Sequence, residues 1–200
     1  MQAAAAPRLR PLFGGALSAV LPSNITDISE LREIPDNQEV FAHPHTDQSL
    51  IVELLEYQGQ VADQDAARFH FEDIAGSNKA QGPGAFVVGN AEAIAKGSVS
   101  LLECSSAWML RGTQSVSKFN EEARNTVSIH LGLFRLPQFS TDILMTFNDP
   151  LSISPDSSSS MTSDSSSRGG AEEARREPWT EEDFQRALLT LTLHNPGLFG

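Results

Sequence analysis

The sequence predicts an α+β domain built on an antiparallel sheet of about six strands, with three or four helices. Three observations carry that class. Two apolar runs, 126–136 and 141–147, flank a short connection containing Pro137, the pattern of a β-hairpin. Elsewhere, short alternating segments and short amphipathic ones succeed one another without the regular strand–helix–strand rhythm of a parallel sheet. With 200 residues, 40% of them hydrophobic and eleven of them Phe, the chain can bury a real core.

Residues 1–10, with four alanines and two arginines, predict a mobile N-terminus before one domain spanning 11–200. LFGGALSAVLP (12–22) predicts a strand in which Gly14 and Gly15 permit a bulge or a tight backbone approach. DISELREIP (27–35) predicts a short helical turn capped by Asp27, carrying Glu30 in its first turn and stopped by Pro35. QEVFAHP (38–44) predicts a strand ended by Pro44. In SLIVELLE (49–56) the residues Leu50, Ile51, Leu54 and Leu55 recur at helical spacing, so an amphipathic helix is expected with Glu53 and Glu56 outward. Thr46 or Asp47 can cap it and Gly59 suits its end.

DQDAARFHFEDIAG (63–76) begins as a helix, but its FHFE centre also alternates like a strand. GSNKAQGPG (76–84) is a turn-rich loop. GAFVVGN (84–90) and SSAWMLRGTQSVSKF (105–119) predict further strands. Ten of the sixteen residues 152–167 are serine, which predicts a disordered insertion at about 152–178 and a target for phosphorylation. After it, Thr180 and Asp183 have the spacing of a capping box, and Phe184, Ala187, Leu188 and Leu191 form one helical stripe ending near Asn195-Pro196-Gly197. That stripe has to dock on the body, which makes the serine-rich segment an insertion within the fold.

The formal net charge is −12 and the sequence pI about 4.7. Phosphate backbones and anionic membranes are bound through Lys and Arg, so this balance argues against both. A basic protein partner fits it better. Cys104 is the only cysteine, so no intrachain disulfide can form and a reducing compartment is expected. No stretch approaches the apolar length of a transmembrane helix.

Enzyme signatures are sparse. The chain has no P-loop, no dinucleotide glycine motif and no G-x-S-x-G. Cys104 lacks a histidine context and reads as a small buried residue. His43, His45 and Asp47 have the chemistry of metal ligands, which leaves a metal-dependent hydrolase as the alternative reading. His70, Glu72 and Asp73 lie close in sequence and read more simply as the polar side of a half-buried element. His130 and His194 fall in apolar stretches and read as core or edge histidines. No cofactor is expected.

One anomaly is left. From Glu33 to Ala67 there are eight acidic residues and no Lys or Arg. A solvated face usually mixes signs, because oppositely charged neighbours stabilise it. On pattern alone the run reads as a solvated face; its one-sidedness leaves a surface for a basic partner as the other reading.

PLFGGALSAVLP, SELREIPDNQEVF, TDQSLIVELLE and FHFED together resemble the Ran guanine nucleotide release factor family. LPQFSTDILMTFNDP and DFQRALLTLTLHNPGLFG extend the match, in order and spacing, from about residue 11 to 200. Residues 77–100 are only loosely similar, and the serine-rich insertion is longer and less proline-rich than in the family. The resemblance implies a PsbP-like fold, an antiparallel sheet with helices packed on both faces. It implies a non-enzymatic protein of nucleus and cytoplasm that binds the GTPase Ran, promotes nucleotide release and supports nuclear protein import; a monomer is expected. For vertebrate members it also implies partnership with the cardiac voltage-gated sodium channel alpha subunit, whose delivery to the plasma membrane they raise. The family's Ran-binding acidic pair falls on Glu53 and Glu56. Asp36, Asn37, Gln38 and Glu39 are expected beside it, with Glu72 and Asp73 in the wider acidic surface.

Overall fold

The structure, a computed structural model, describes residues 6–78, 84–117, 124–152 and 176–200. The first strands are β1 (Arg8–Leu12), β2 (Leu17–Leu21), β3 (Thr26–Asp27), β4 (Gln38–Ala42) and β5 (Ser49–Glu56). Helix α1 (Asp63–Ser77) follows, then β6 (Phe86–Val88), β7 (Glu92–Ala93), β8 (Ser106–Ser117), β9 (Arg124–Leu136) and β10 (Thr141–Ser152). Helix α2 (Glu181–Thr190) and β11 (Thr192–Leu193) close the chain. The main sheet runs β3-β4-β5-β10-β9-β8-β6, with β7 also pairing β8, and a second sheet runs β1-β2-β11. All pairings are antiparallel. The α+β class stands, with more strands than the sequence reading counts. The additional ones include β3, β7 and β11, at two residues each, too short to show any periodicity.

The expected hairpin is β9–β10, joined by a 3-10 turn at Pro137–Phe139 and by Ser140 in the left-handed region. In register with one another, successive residues of these strands divide between two cores. Phe134, Ile143, Met145 and Phe147 join one that also holds Phe41, Leu50 and Val52 of the sheet, Leu17 and Ala19 of β2, and Phe184, Ala187 and Leu188 of α2. Ile129, Leu131, Leu133 and Leu144 join the other, with Leu110 of β8 and Ala66, Ala67 and Phe71 of α1. Two glycines let the helices approach: a Cβ on Gly132 would run into Leu188 of α2, and one on Gly112 would lie 2.5 Å from the Phe71 ring of α1. The capping box of α2 is present, with the Thr180 N–H donating to Asp183 Oδ2 at 2.9 Å.

The helix expected over SLIVELLE is a strand. β5 lies in the sheet interior between β4 and β10, with Leu50 against Phe41 and Phe147 and Glu53 against Gln38 and Leu144. Leu50, Val52 and Leu54 serve one core, while Leu55 turns to the other. Leu50 and Val52 are buried toward one core, but Ile51 and Leu55 on the other side are apolar too and only half-buried, so the alternation blurs and the pattern imitates a helix. The 63–76 segment resolves the other way, as one continuous helix in which His70 and Phe71 are buried and Phe69 and Glu72 exposed. Residues 12–22 are not one strand: Gly14 and Gly15, at φ 65° and 91°, turn the chain between β1 and β2. β1 also begins at Arg8, inside the segment expected to be a mobile N-terminus. Most of the serine-rich stretch lies outside the described residues.

Arg135 anchors the end of α1. It is fully buried, and its guanidinium donates to Asp142 Oδ1 at 3.2 Å, Asp63 Oδ1 at 2.8 Å, and the carbonyls of Gln58 at 2.6 Å and Val61 at 2.8 Å. The Tyr57 ring lies 4.3 Å beneath it. Asp142, also fully buried, meets His70 Nε2 at 3.0 Å and accepts from the Gln58 N–H at 3.2 Å. Removing one member of such a cluster strands the opposite charge in a dry interior. Arg135→Ala is expected to destabilise the fold by about 3–5 kcal/mol, read as a lowered urea midpoint.

Candidate functional site

β4 begins opposite Glu53, three residues before β5 ends, and that corner gathers most of the acidic and amide candidates. Gln38 stands opposite Glu53, and its Nε2 donates to Glu53 Oε1 at 2.9 Å. One residue earlier, Asn37 closes the pair from both sides: its carbonyl accepts from the Leu54 N–H at 2.9 Å and its Nδ2 donates to the Leu54 carbonyl at 3.0 Å. Asp36 and Asn37 form the turn leading into β4, closed by the Gln38 N–H donating to the Pro35 carbonyl at 2.9 Å. Asp36, Asn37 and Glu56 are exposed and Glu53 is half-buried.

The glutamate pair is arranged differently from a helical pair. Three residues apart on a helix, Glu53 and Glu56 would share one face; three apart on a strand, they point to opposite faces. Glu53 shares the α1 side with Ile51 and Leu55, while Glu56 pairs with Thr141 at the strand's open end. A partner engaging both has to embrace the corner rather than rest on one face.

The remaining candidates separate from this group. Glu39 turns to the opposite side of β4, where Oε1 accepts from the Phe13 N–H at 2.6 Å. It holds the β1–β2 turn, whose Phe13 sits at φ 49°, a conformation that a side-chain-bearing residue adopts only under constraint. Glu72 forms an i,i+4 pair with Arg68 at 2.9 Å, so its charge is already answered on α1. Asp73 is exposed on the same helix. The Phe13 contact has no signature in the sequence, since it joins residues 26 apart.

The His43, His45 and Asp47 group is not a ligand set. His43 Nδ1 accepts from the backbone N–H of His45 at 3.0 Å and of Thr46 at 3.1 Å, and Nε2 faces the Glu177 carbonyl at 2.8 Å. Both ring nitrogens are occupied in holding the 43–48 turn against Trp179. Gln48 completes that clamp: its Oε1 accepts from the Trp179 N–H at 2.7 Å, and its Nε2 donates to the Trp179 carbonyl at 2.8 Å and to Asp149 Oδ1 at 3.1 Å. Among the described residues no three His, Cys, Asp or Glu side chains converge as metal ligands. Cys104 is buried, and burial pushes its thiol upward, away from the nucleophilic thiolate. His130 is buried and stacked on Phe147, and His194 is exposed, within 2.7 Å of Ser18 Oγ. No helix among the described residues is long and apolar enough to cross a membrane.

A family profile described as "Ran-interacting Mog1 protein" matches residues 10–150. A Danio rerio protein named Ran guanine nucleotide release factor is 62% identical over 191 residues, covering 96% of this chain and 99% of its own. The Homo sapiens protein of the same name is 46% identical over 191 residues, covering 95% of each. The crystal structure of the Saccharomyces cerevisiae Ran-binding protein Mog1p aligns at TM-score 0.67 and 24% identity, over 97% of this chain and 98% of that one. This last likeness shows the fold.

Two histidines couple the fold to pH. Burial holds both His43 and His130 below the usual imidazole value of 6.5, helped by nearby His45 for the first and Arg111 for the second. The Glu177 carbonyl opposes the shift of His43, as Glu181 and Asp149 oppose that of His130. The unfolded chain therefore takes up these protons first, so stability is complete above about pH 6.5 and declines as pH falls toward the folded values. Urea midpoints are expected to drop between pH 7.5 and 5.5, and to drop less in a His43→Gln/His130→Gln double variant.

Proposed function

The chain belongs to the Ran-interacting Mog1 family, and from that premise we propose that it binds the GTPase Ran, promotes release of its guanine nucleotide and supports nuclear protein import without catalysing a reaction of its own. The names of its relatives support Ran and import. The observation that carries the reading is the corner at the end of β5. There Gln38 stands against Glu53, with Asp36 and Asn37 in the turn just before β4 and Glu56 at the end of β5, within a stretch from Glu33 to Ala67 that has no Lys or Arg.

The mechanism follows from linkage. A GTPase holds its nucleotide through a Lys, Mg²⁺ and backbone amides around the phosphates. A partner drives release only by binding the empty state better than the loaded one, and the coupling is reciprocal. Carboxylates at the corner favour the empty state by engaging basic groups otherwise committed near the phosphates. Glu53 and Glu56 carry this role, with Asp36, Asn37 and Gln38 beside them. Asp73 extends the acidic field along α1, while Glu39 and Glu72 contribute charge from groups already bonded within the fold. Because the two glutamates face opposite ways, they meet different parts of the partner.

The test is release of a fluorescent guanine nucleotide from Ran. Wild-type protein is expected to accelerate it, and Glu53→Lys/Glu56→Lys to lose at least about tenfold in affinity, consistent with central charges in an interface. Circular dichroism checks that the variant is folded. Equal binding and equal release by both proteins would refute the corner as the docking surface.

A further inference from the structure

Asn37 stands just outside β4 and yet adds a rung to its pairing with β5. Where an antiparallel ladder continues, a hydrogen-bonded pair of residues exchanges two backbone bonds, one in each direction. Between Asn37 and Leu54 one bond is of that kind: the Leu54 N–H donates to the Asn37 carbonyl at 2.9 Å. The return bond comes from the side chain, whose Nδ2 donates to the Leu54 carbonyl at 3.0 Å. The turn explains the substitution. With the Gln38 N–H directed back to the Pro35 carbonyl, the backbone leaves the ladder at this point and the Asn37 amide takes its place.

The next rung carries the charge. Gln38 stands opposite Glu53, and its Nε2 donates to Glu53 Oε1 at 2.9 Å. Both side chains are half-buried, whereas Asn37 is exposed. A glutamate held by no such bond gives up rotamer freedom when a partner fixes it, and that loss is subtracted from affinity. Here the Gln38 bond holds the carboxylate, and the Asn37–Leu54 rung holds the backbone next to both members of the pair.

We propose that Asn37 is a positioning residue: its side-chain amide fixes the start of β4 on β5, so that Gln38 keeps the Glu53 carboxylate in the orientation in which it meets a basic group of the GTPase. This rests on the Ran-docking reading given above. Replacement by Asp separates positioning from direct contact, because the two roles give opposite signs. For a residue touching the partner, one more carboxylate on an acidic surface improves the match to basic groups. For a positioning residue, the same change removes the Nδ2 donor and sets a carboxylate against the Leu54 carbonyl, which opens the rung and frees Glu53.

The experiment measures affinity for nucleotide-free Ran for Asn37→Asp, Asn37→Ser, Glu53→Gln and the double variant Asn37→Asp/Glu53→Gln, with urea midpoints to check folding. Asn37→Asp is expected to weaken binding about tenfold by itself and less than about twofold in the Glu53→Gln background, the non-additivity of one residue acting through another. Asn37→Ser removes the amide without adding charge; it is expected to weaken binding in the same direction and carries the test if Asn37→Asp does not fold. If Glu53→Gln weakens binding while Asn37→Asp leaves it unchanged or tightens it, positioning is overturned and the docking corner stands. An equal loss from Asn37→Asp in both backgrounds also overturns it, since Asn37 then acts independently of Glu53. If Glu53→Gln binds like wild type, the docking reading itself falls and the positioning role with it.

Discussion

The fold depends on a charge cluster sealed in its interior. Arg135 and Asp142 face each other across the β9–β10 hairpin, and the carbonyls of Gln58 and Val61 with the carboxylate of Asp63 complete the guanidinium's needs. A buried ion pair contributes little net stability by itself, because desolvation offsets most of the attraction. What it supplies here is position. The planar guanidinium has several fixed donor directions, taken by Asp142 of β10, by Gln58 and Val61 of the connection after β5, and by Asp63 at the start of α1. The hairpin, the β5–α1 connection and the first turn of α1 therefore share one geometric reference, and His70 extends it along the helix. The corner at the end of β5 lies immediately before that connection, so the proposed docking residues inherit its rigidity.

Much of the architecture was legible in the sequence because it rests on local chemistry. The β9–β10 hairpin announced itself by two apolar runs and a proline. The α2 cap announced itself by Thr180 and Asp183. The turn after β3 did so through Asp27, whose carboxylate accepts from the Ser29 N–H at 3.0 Å. SLIVELLE misled because its information is not local. Whether Ile51 and Leu55 sit beside or opposite Leu50 and Leu54 depends on β4 and β10, which flank the segment on either side in the sheet. Arg135 was invisible for the same reason, since nothing in RLPQF marks an arginine as buried.

The candidate site divides along a similar line. The one-signed run of charge is a property of composition and could be read directly. The roles within it could not, because they are decided by partners far along the chain. Glu39 is occupied by Phe13, and His43 by Glu177, across separations of 26 and 134 residues. The strand assignment also redistributes the acidic pair: what a helix would present as a single patch becomes two carboxylates on either side of a sheet corner.

The Gln48 clamp has a further consequence. One buried amide bonds Asp149, near where β10 ends, and also both backbone groups of Trp179, just before α2. The chain thus departs and returns at a single point, and the fold places almost no demand on the distance covered between. Lengthening such a connection is opposed mainly by loop-closure entropy, about 0.6 kcal/mol for each doubling. That makes the clamp a tolerance device: the connection between β10 and α2 can drift in length and composition across evolution while the hairpin, the helix and the corner keep their places.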